Sequence, residues 1–168
     1  MSLRQIDKNR YSRHYKIVFS AIVVGLIVIS IGSSALLIRW LGNPGQSNFM
    51  LNLLGVVIAA VVVSYALYRL RRHPFMDEVV YVWMLKQRLN QIYRKQRRIE
   101  PLIDENYLDA MVIMNYLYQG SKQLYELDDN TITMDELALR INHLQAQLDE
   151  AGVTVTTDQY DPSMLERF

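Results

Sequence analysis

The 168-residue chain contains no cysteine and only three histidines. Without cysteine it cannot form a disulfide, a thiolate zinc site, an iron–sulfur cluster or a catalytic thiolate. The histidines, His14, His73 and His143, are scattered, and none has a second histidine or carboxylate at ligand spacing on an obvious shared face. We therefore predict no metal site and no cofactor.

Motifs that bind nucleotides or build a serine nucleophile are also absent. The sequence has no G-x-S-x-G, Walker or G-x-G-x-x-G element. A faint likeness to a calcium-binding loop ending at Glu136 loses two ligand positions, because Tyr125 and Leu127 occupy the first and third places, and Asn130 stands where the glycine belongs. The sequence thus predicts a protein that is not an enzyme and has no catalytic residue.

Two long stretches have no ionisable side chain. They cover residues 17–38, which is 22 residues, and residues 49–68, which is 20. Each forms roughly 30 Å of helix, the thickness of a bilayer's hydrocarbon core. A cleaved signal peptide is the alternative for the first, but its apolar run is too long and a second one follows closely. We predict a transmembrane hairpin over residues 17–70, and the lack of charge inside it argues against a transporter.

The flanking charges predict the orientation of the hairpin. Residues 1–16 carry five Lys/Arg against one Asp, and three arginines follow the second stretch, whereas Arg39 is the only cation in the connecting loop. Lysine and arginine stay on the cytoplasmic side, so both termini are expected in the cytoplasm. The segment Gly42-Asn43-Pro44-Gly45 predicts a tight outer turn.

Small residues recur on one face of each predicted span. In an antiparallel hairpin the facing positions sum to about 87, which pairs Gly32 with Gly55 and Ala21 with Ala66. The alternatives are a seam between two copies of the chain and a chance pattern. The predicted packing face consists of Ala21, Gly25, Gly32, Gly55, Ala59 and Ala66.

Residues 71–152 predict a cytoplasmic domain of three helices, which makes the whole chain an all-α membrane protein. The first helix begins at Pro74 and the second at Pro101. Thr133 and Glu136 have the spacing of a capping box that starts the third, and Gly152 is suited to end it. Gly120-Ser121 is expected to end or kink the second helix, and the tail at 153–168 to be extended or loosely held.

Apolar periodicity distinguishes the three helices. One-sided stripes predict amphipathic helices in the first and third. The segment Ala110–Tyr118 is instead apolar all round, so it is either the centre of the domain or a face that meets a partner. The stripe residues are Val82, Leu85, Leu89 and Ile92 in the first helix and Leu137, Ile141, Leu144 and Leu148 in the third. The candidate partner interface consists of Tyr81, Trp83, Met111, Met114 and Tyr118.

Charge is divided sharply along the domain. Residues 69–98 carry nine Lys/Arg against two Asp/Glu, whereas residues 99–168 carry three against fourteen. We expect a basic helix near the membrane to pack against acidic helices. The acidic half would repel phosphate, so no nucleic-acid partner is predicted.

Four segments carry a resemblance to a known family: 47–55, 73–83, 85–94 and 118–133. They resemble a proteobacterial two-pass inner-membrane protein family of unknown function, domain of unknown function family 3087. The resemblance implies the inner membrane of a Gram-negative bacterium and assigns no activity to any residue.

These patterns favour a non-enzymatic, membrane-anchored interaction or scaffold module. Its expected partners are the lipid bilayer and either another membrane or cytoplasmic protein or a second copy of the chain. The alternative is a small homo-oligomeric channel in which the Ala/Gly face of the first span lines the pore.

Overall fold

The structure is a computed structural model that describes residues 3–43 and 47–168, and these residues form helices and no strand. The α-helices are α1 Lys8–Leu41, α2 Phe49–Leu70, α3 Asp77–Ile99, α4 Pro101–Asp104, α5 Leu108–Leu127 and α6 Met134–Glu150. Short 3-10 helices cover Pro74–Met76, Thr157–Gln159 and Pro162–Arg167. Pro44 and Gly45 of the predicted outer turn lie outside the described residues.

The chain divides into two compact units. The hairpin unit is Arg13–Val80, and the helical unit combines Tyr81–Phe168 with the described residues up to Ser12. The predicted boundaries fell instead at residues 16, 70 and 152. Both the N-terminal segment and the C-terminal tail thus belong to the helical unit.

In the hairpin unit, α1 and α2 approach closely in the half next to the connecting loop. Gly55 and Ala59 are buried there, and the Ser33 hydroxyl donates to the Gly55 carbonyl oxygen at 3.1 Å. A Cβ on Gly55 would lie 2.1 Å from Oγ of Ser34. The facing positions sum to 88 and 89, close to the predicted 87.

One predicted contact of this face is wrong. A Cβ added to Gly32 would meet nothing within 4 Å, so Gly32 does not face Gly55. Ser33 and Ser34 occupy that place because the register is shifted by one to two residues. The shift turns Gly32 off the contact line between the helices.

The helical unit is centred on α5, which is buried on nearly every side. Ala110, Met111, Ile113, Met114 and Leu117 have no exposed surface. The predicted stripes of α3 and α6 are confirmed: Val82, Leu85, Leu89, Ile92, Leu137, Leu144 and Leu148 are buried and Ile141 packs against them at partial burial. A helix apolar all round is therefore the core of this unit.

The helix predicted from Pro101 is interrupted. It ends at Asp104 and restarts at Leu108, because Asn106 adopts a left-handed conformation with φ of 57°. The Tyr107 N–H donates to the Leu102 carbonyl oxygen at 3.0 Å, which closes the end of α4. Asparagine tolerates this conformation better than most residues.

Gly120 does not end α5, which was one of the two predicted outcomes at this position. The helix continues to Leu127, and a Cβ on Gly120 would lie 2.9 Å from a methyl group of Leu89 on α3. The glycine therefore allows α3 and α5 to approach closely.

The predicted capping box at the start of α6 is also wrong. Thr133 makes no side-chain capping hydrogen bond, and its Oγ1 is buried without a partner. Glu136 is engaged by Arg140 at 2.8 Å instead of reaching back to Thr133. At the other end, Gly152 has φ of +64° and ends the helix as predicted.

The tail is packed, which corrects the prediction of an extended or loose segment. Tyr160 and Leu165 are buried, and the Tyr160 ring stacks on Tyr116 at 4.2 Å between centroids. Lys95 of α3 donates to the Leu165 carbonyl oxygen at 2.7 Å. A basic residue of α3 therefore binds a carbonyl oxygen of the tail and not an acidic side chain. Lys86 pairs with Asp128 at 2.8 Å, as the division of charge predicted.

Candidate functional site

The structure separates the five residues of the candidate partner interface. Met111 and Met114 are fully buried and Tyr118 is 5% exposed, so these three belong to the core, the alternative that the sequence left open. Tyr81 is half-buried and its hydroxyl donates to Gln123 Oε1 at 3.1 Å. Only Trp83 is strongly exposed, at 61%.

The N-terminal segment forms part of the helical unit. Tyr11 is 4% exposed within its core, and Leu3 and Ile6 pack against that core. The backbone N–H of Arg4 donates to the Tyr81 hydroxyl at 2.9 Å, and the Gln123 amide donates to the Arg4 carbonyl oxygen. These contacts tie the segment that precedes the first apolar helix to the segment that follows the second.

Lys8 and Asp7 complete this attachment. Lys8 forms an ion pair with Asp129, which lies in the turn after α5. A carboxylate oxygen of Asp7 accepts from the backbone N–H of Arg10 at 3.0 Å and caps the start of α1. The segment is therefore folded and does not form a free basic tail.

A buried ionisable pair lies in the hairpin unit at the end away from the loop. Nδ1 of His14 lies 3.2 Å from Oε2 of Glu78, and their side chains are 14% and 8% exposed. The His14 ring packs on Phe75 at 4.1 Å between centroids. His73 accepts a hydrogen bond from the Phe75 backbone N–H at 3.1 Å, which starts the 3-10 turn before α3.

A polar cavity of about 230 Å³ lies in the helical unit between α3, α5 and α6. Arg140 lies at its wall and also lines a neighbouring cavity of about 460 Å³. The Arg140 guanidinium donates to Glu136 at 2.8 Å and to Glu100 at 3.4 Å. The first cavity is lined by Tyr93, Gln96, Tyr118, Tyr125, Thr133, Glu136, Leu137 and Arg140.

The polar and charged groups at these two cavities form hydrogen bonds and ion pairs with one another. The Tyr118 hydroxyl donates to Glu100 at 3.1 Å, and burial together with that carboxylate raises the pKa of Tyr118 to about 12. The hydrogen bond to Glu136 raises the pKa of Arg140. Tyr118 therefore stays protonated and Arg140 stays charged at neutral pH, so neither acts as a base.

An apolar groove of about 430 Å³ runs between α1 and α2 in the half of the hairpin away from the loop. Ala21, Gly25 and Ala66 of the predicted packing face line it, and Ala21 and Ala66 are exposed. The helices that touch at Gly55 are therefore apart at this end. Gly25 marks the transition, since a Cβ there would lie 3.6 Å from Val63.

Sequence reasoning missed most of these features. The i,i+4 spacing of Glu136 and Arg140 could have indicated their ion pair. The contact of Arg140 with Glu100 and that of His14 with Glu78 join residues 40 and 64 positions apart, so no local pattern signals them.

The fold defines an all-helical protein with two helices, α1 and α2, that are long and apolar enough to cross a membrane. The chain belongs to the family described as "Protein of unknown function (DUF3087)", whose model matches residues 1–165. Neither the search of curated proteins nor that of solved structures found a match. Among the described residues, no group of three or more His, Asp or Glu side chains is placed to hold a metal ion.

Proposed function

We propose that this chain is a two-pass inner-membrane protein whose helical unit works in the cytoplasm as a non-enzymatic interaction module. The packing of Tyr11 and Arg4 with Tyr81–Phe168 carries the proposal, because it requires the first turn of α1, with the residues before it, to lie on the same side of a membrane as the residues after α2. An even number of crossings satisfies that requirement. The excess of Lys/Arg at those two ends supports the cytoplasmic side.

The surface of the two apolar helices supports membrane insertion. Only 6% of the most apolar window of α1 and 11% of that of α2 is buried, whereas the core helix of a soluble protein is mostly buried. Large apolar side chains such as Val28, Ile31 and Val61 are more than 60% exposed. Surface of this extent suits a hydrocarbon environment.

The pairing of the charged residues in the polar cavity supports a binding role. The two charged residues that line it, Glu136 and Arg140, are paired with each other, so the lining offers no free base. Trp83 remains as the exposed part of the proposed partner interface, and exposed tryptophan is common where proteins bind each other. The proposed partner is another protein or a second copy of the chain.

Single-cysteine labelling tests the topology, and the natural sequence has no cysteine to interfere. Ser47→Cys lies in the connecting loop and Asn142→Cys on the exposed face of α6. We expect a membrane-impermeant maleimide to label position 47 in spheroplasts, and position 142 only after permeabilisation. Labelling of position 142 in sealed spheroplasts, or recovery of the chain from the supernatant without detergent, would refute the proposal.

A photo-crosslinking amino acid at position 83 tests the interface, and Lys122, which is also exposed on the helical unit, is the matched control position. We expect a crosslinked product from position 83 in native membranes and none from position 122. A chain that remains monomeric and uncrosslinked at both positions contradicts the interaction role. The mass of the solubilised complex also tests the channel alternative, which requires a ring of several subunits.

A further inference from the structure

We propose that the groove between α1 and α2 binds the acyl chain of an anionic glycerophospholipid, whose phosphate meets the basic residues that flank the apolar stretches at the groove's end. This inference rests on the proposed membrane insertion. Membrane insertion alone would allow any lipid to occupy this groove, whereas the inference names one class of lipid.

The dimensions of the groove match one leaflet of a bilayer. Along α1 its lining extends from Ile17 to Ile29, which corresponds to about 18 Å of helix. One leaflet contributes about 15 Å to the hydrocarbon core, half of its total thickness. The groove therefore begins at the cytoplasmic boundary proposed above and ends near the midplane, where the helices close again past Gly25.

The lining has the chemistry of an acyl-chain site. Along its length it is formed by aliphatic residues and by the small residues Ala21, Gly25 and Ala66, which leave the space that larger side chains would fill. His73, Phe75 and Met76 close the end that lies outside the apolar stretches. A void between helices in a bilayer loses contacts unless a lipid chain fills it.

Basic residues at this end of the groove select the headgroup. The lining residues Ile17 and Leu70 are adjacent in sequence to lysine or arginine residues. The acidic residues of the hairpin unit are Asp77 and Glu78, and Glu78 contacts His14. The excess of positive charge there complements a phosphodiester headgroup with a net negative charge. The basic residues that flank the two apolar stretches on this side, all exposed, are Arg13, Lys16, Arg69, Arg71 and Arg72.

Native mass spectrometry after reconstitution tests the proposal. The full-length protein is placed in nanodiscs of equimolar phosphatidylglycerol and phosphatidylcholine and then released into mild detergent. We expect the wild-type protein to retain phosphatidylglycerol in preference to phosphatidylcholine. Ala21→Phe combined with Ala66→Phe fills the groove and should abolish retention, whereas Val24→Phe with Val57→Phe, on exposed positions outside the lining, should not.

Charge variants separate the headgroup contribution from the apolar one. Each arginine near an anionic surface contributes about fivefold in affinity, so Arg69→Gln with Arg72→Gln should lower the preference for phosphatidylglycerol by at least about tenfold. Arg39→Gln, at the loop end of α1, is the matched control and should leave it unchanged.

Three results would overturn the inference. These are equal retention of the two lipids, retention that the groove-filling pair leaves intact, and crosslinking of Ala21→Cys to a second copy without bound lipid. The last result would assign the groove to a dimer interface. Each of them leaves the labelling pattern of positions 47 and 142 unchanged, so failure here is distinguishable from failure of the proposed topology.

Discussion

At the scale of single residues, the His14–Glu78 pair links the start of α1 to the start of α3 within the hairpin unit. A carboxylate this poorly exposed depends on hydrogen-bond partners, because its desolvation is otherwise uncompensated. The contact joins two segments separated by both apolar stretches, so it stabilises the end of the hairpin unit that lies away from the connecting loop.

We expect His14→Leu to lower the free energy of unfolding by about 1–3 kcal/mol, because Glu78 loses a buried hydrogen-bond partner. Thermal unfolding of the detergent-solubilised protein measures the change. A double-mutant cycle with Glu78→Gln isolates the interaction and should give a coupling energy of about 0.5 kcal/mol or more. Additive effects of the two substitutions would contradict the proposed pairing.

The tyrosines of the helical unit predict a loss of stability in alkaline solution. Tyr118 and Tyr160 have pKa values raised from 10.0 to about 12, in both cases chiefly by burial. Between about pH 10 and about pH 12, tyrosines of the unfolded chain have released protons that Tyr118 and Tyr160 of the folded chain still hold. The free energy of unfolding therefore falls as pH rises through this window.

We expect Tyr118→Phe to flatten that dependence. The melting temperatures at about pH 9 and about pH 11 should differ less for this variant than for the wild type, because one buried hydroxyl no longer resists ionisation. Tyr107→Phe, at an exposed tyrosine, is the control. Equal flattening by both substitutions would refute the assignment to Tyr118.

At the scale of secondary-structure elements, the crossing of α3 and α5 depends on Gly120. A glycine inside a helix is destabilising relative to alanine. At Gly120 the close packing against Leu89 of α3 compensates for this loss. The sequence alone suggested a helix end here because glycine has that role elsewhere.

We expect Gly120→Val to destabilise the protein by about 1–3 kcal/mol, since the added methyl groups overlap the Leu89 side chain. Ala138→Val on the exposed face of α6 changes the same kind of helix without a packing clash and should cost less than about 0.7 kcal/mol. Chemical unfolding of both variants provides the comparison. A similar loss for the two would show that the helix crossing is not tight.

Elements whose burial is one-sided were predictable from the sequence. The stripes of α3 and α6 repeat at helical spacing, so their buried residues could be named in advance. For α5 the same analysis left core and interface open, because an all-round apolar helix has no periodicity that distinguishes a neighbouring helix from a partner. Burial of Met111 and Met114 favours the core.

Elements held by isolated long-range contacts were not predictable. Tyr11, Tyr160 and Leu165 each pack into the core of the helical unit without a repeating pattern around them. The hairpin register was predicted within two positions, but the opening of its far half was not. The spacing of small residues indicates which faces of two helices can meet, but it does not determine the distance between the helices.

At the scale of the whole molecule, the N-terminal segment and residues 81–168 form one folded unit although both candidate spans separate them in the chain. Tyr11 is the most buried point of this attachment. Tyr11 is 4% exposed, whereas Tyr15, one turn further along α1, is 46% exposed.

We therefore expect Tyr11→Ala to lower the free energy of unfolding by about 3–5 kcal/mol, as removal of a buried aromatic side chain does in other cores. Tyr15→Ala is the matched control and should have a much smaller effect. Limited proteolysis of the solubilised protein should also cut Tyr11→Ala between residues 3 and 12 sooner than the wild type. Similar melting temperatures for the two variants would contradict the docking of this segment.

This attachment has a consequence for the order of events during synthesis. Residues 3–12 are translated before both apolar stretches, yet their partners Gln123 and Asp129 are translated only with α5 and the turn that follows it. By then both apolar helices have been translated. Folding of the helical unit is thus delayed until both apolar helices have been made.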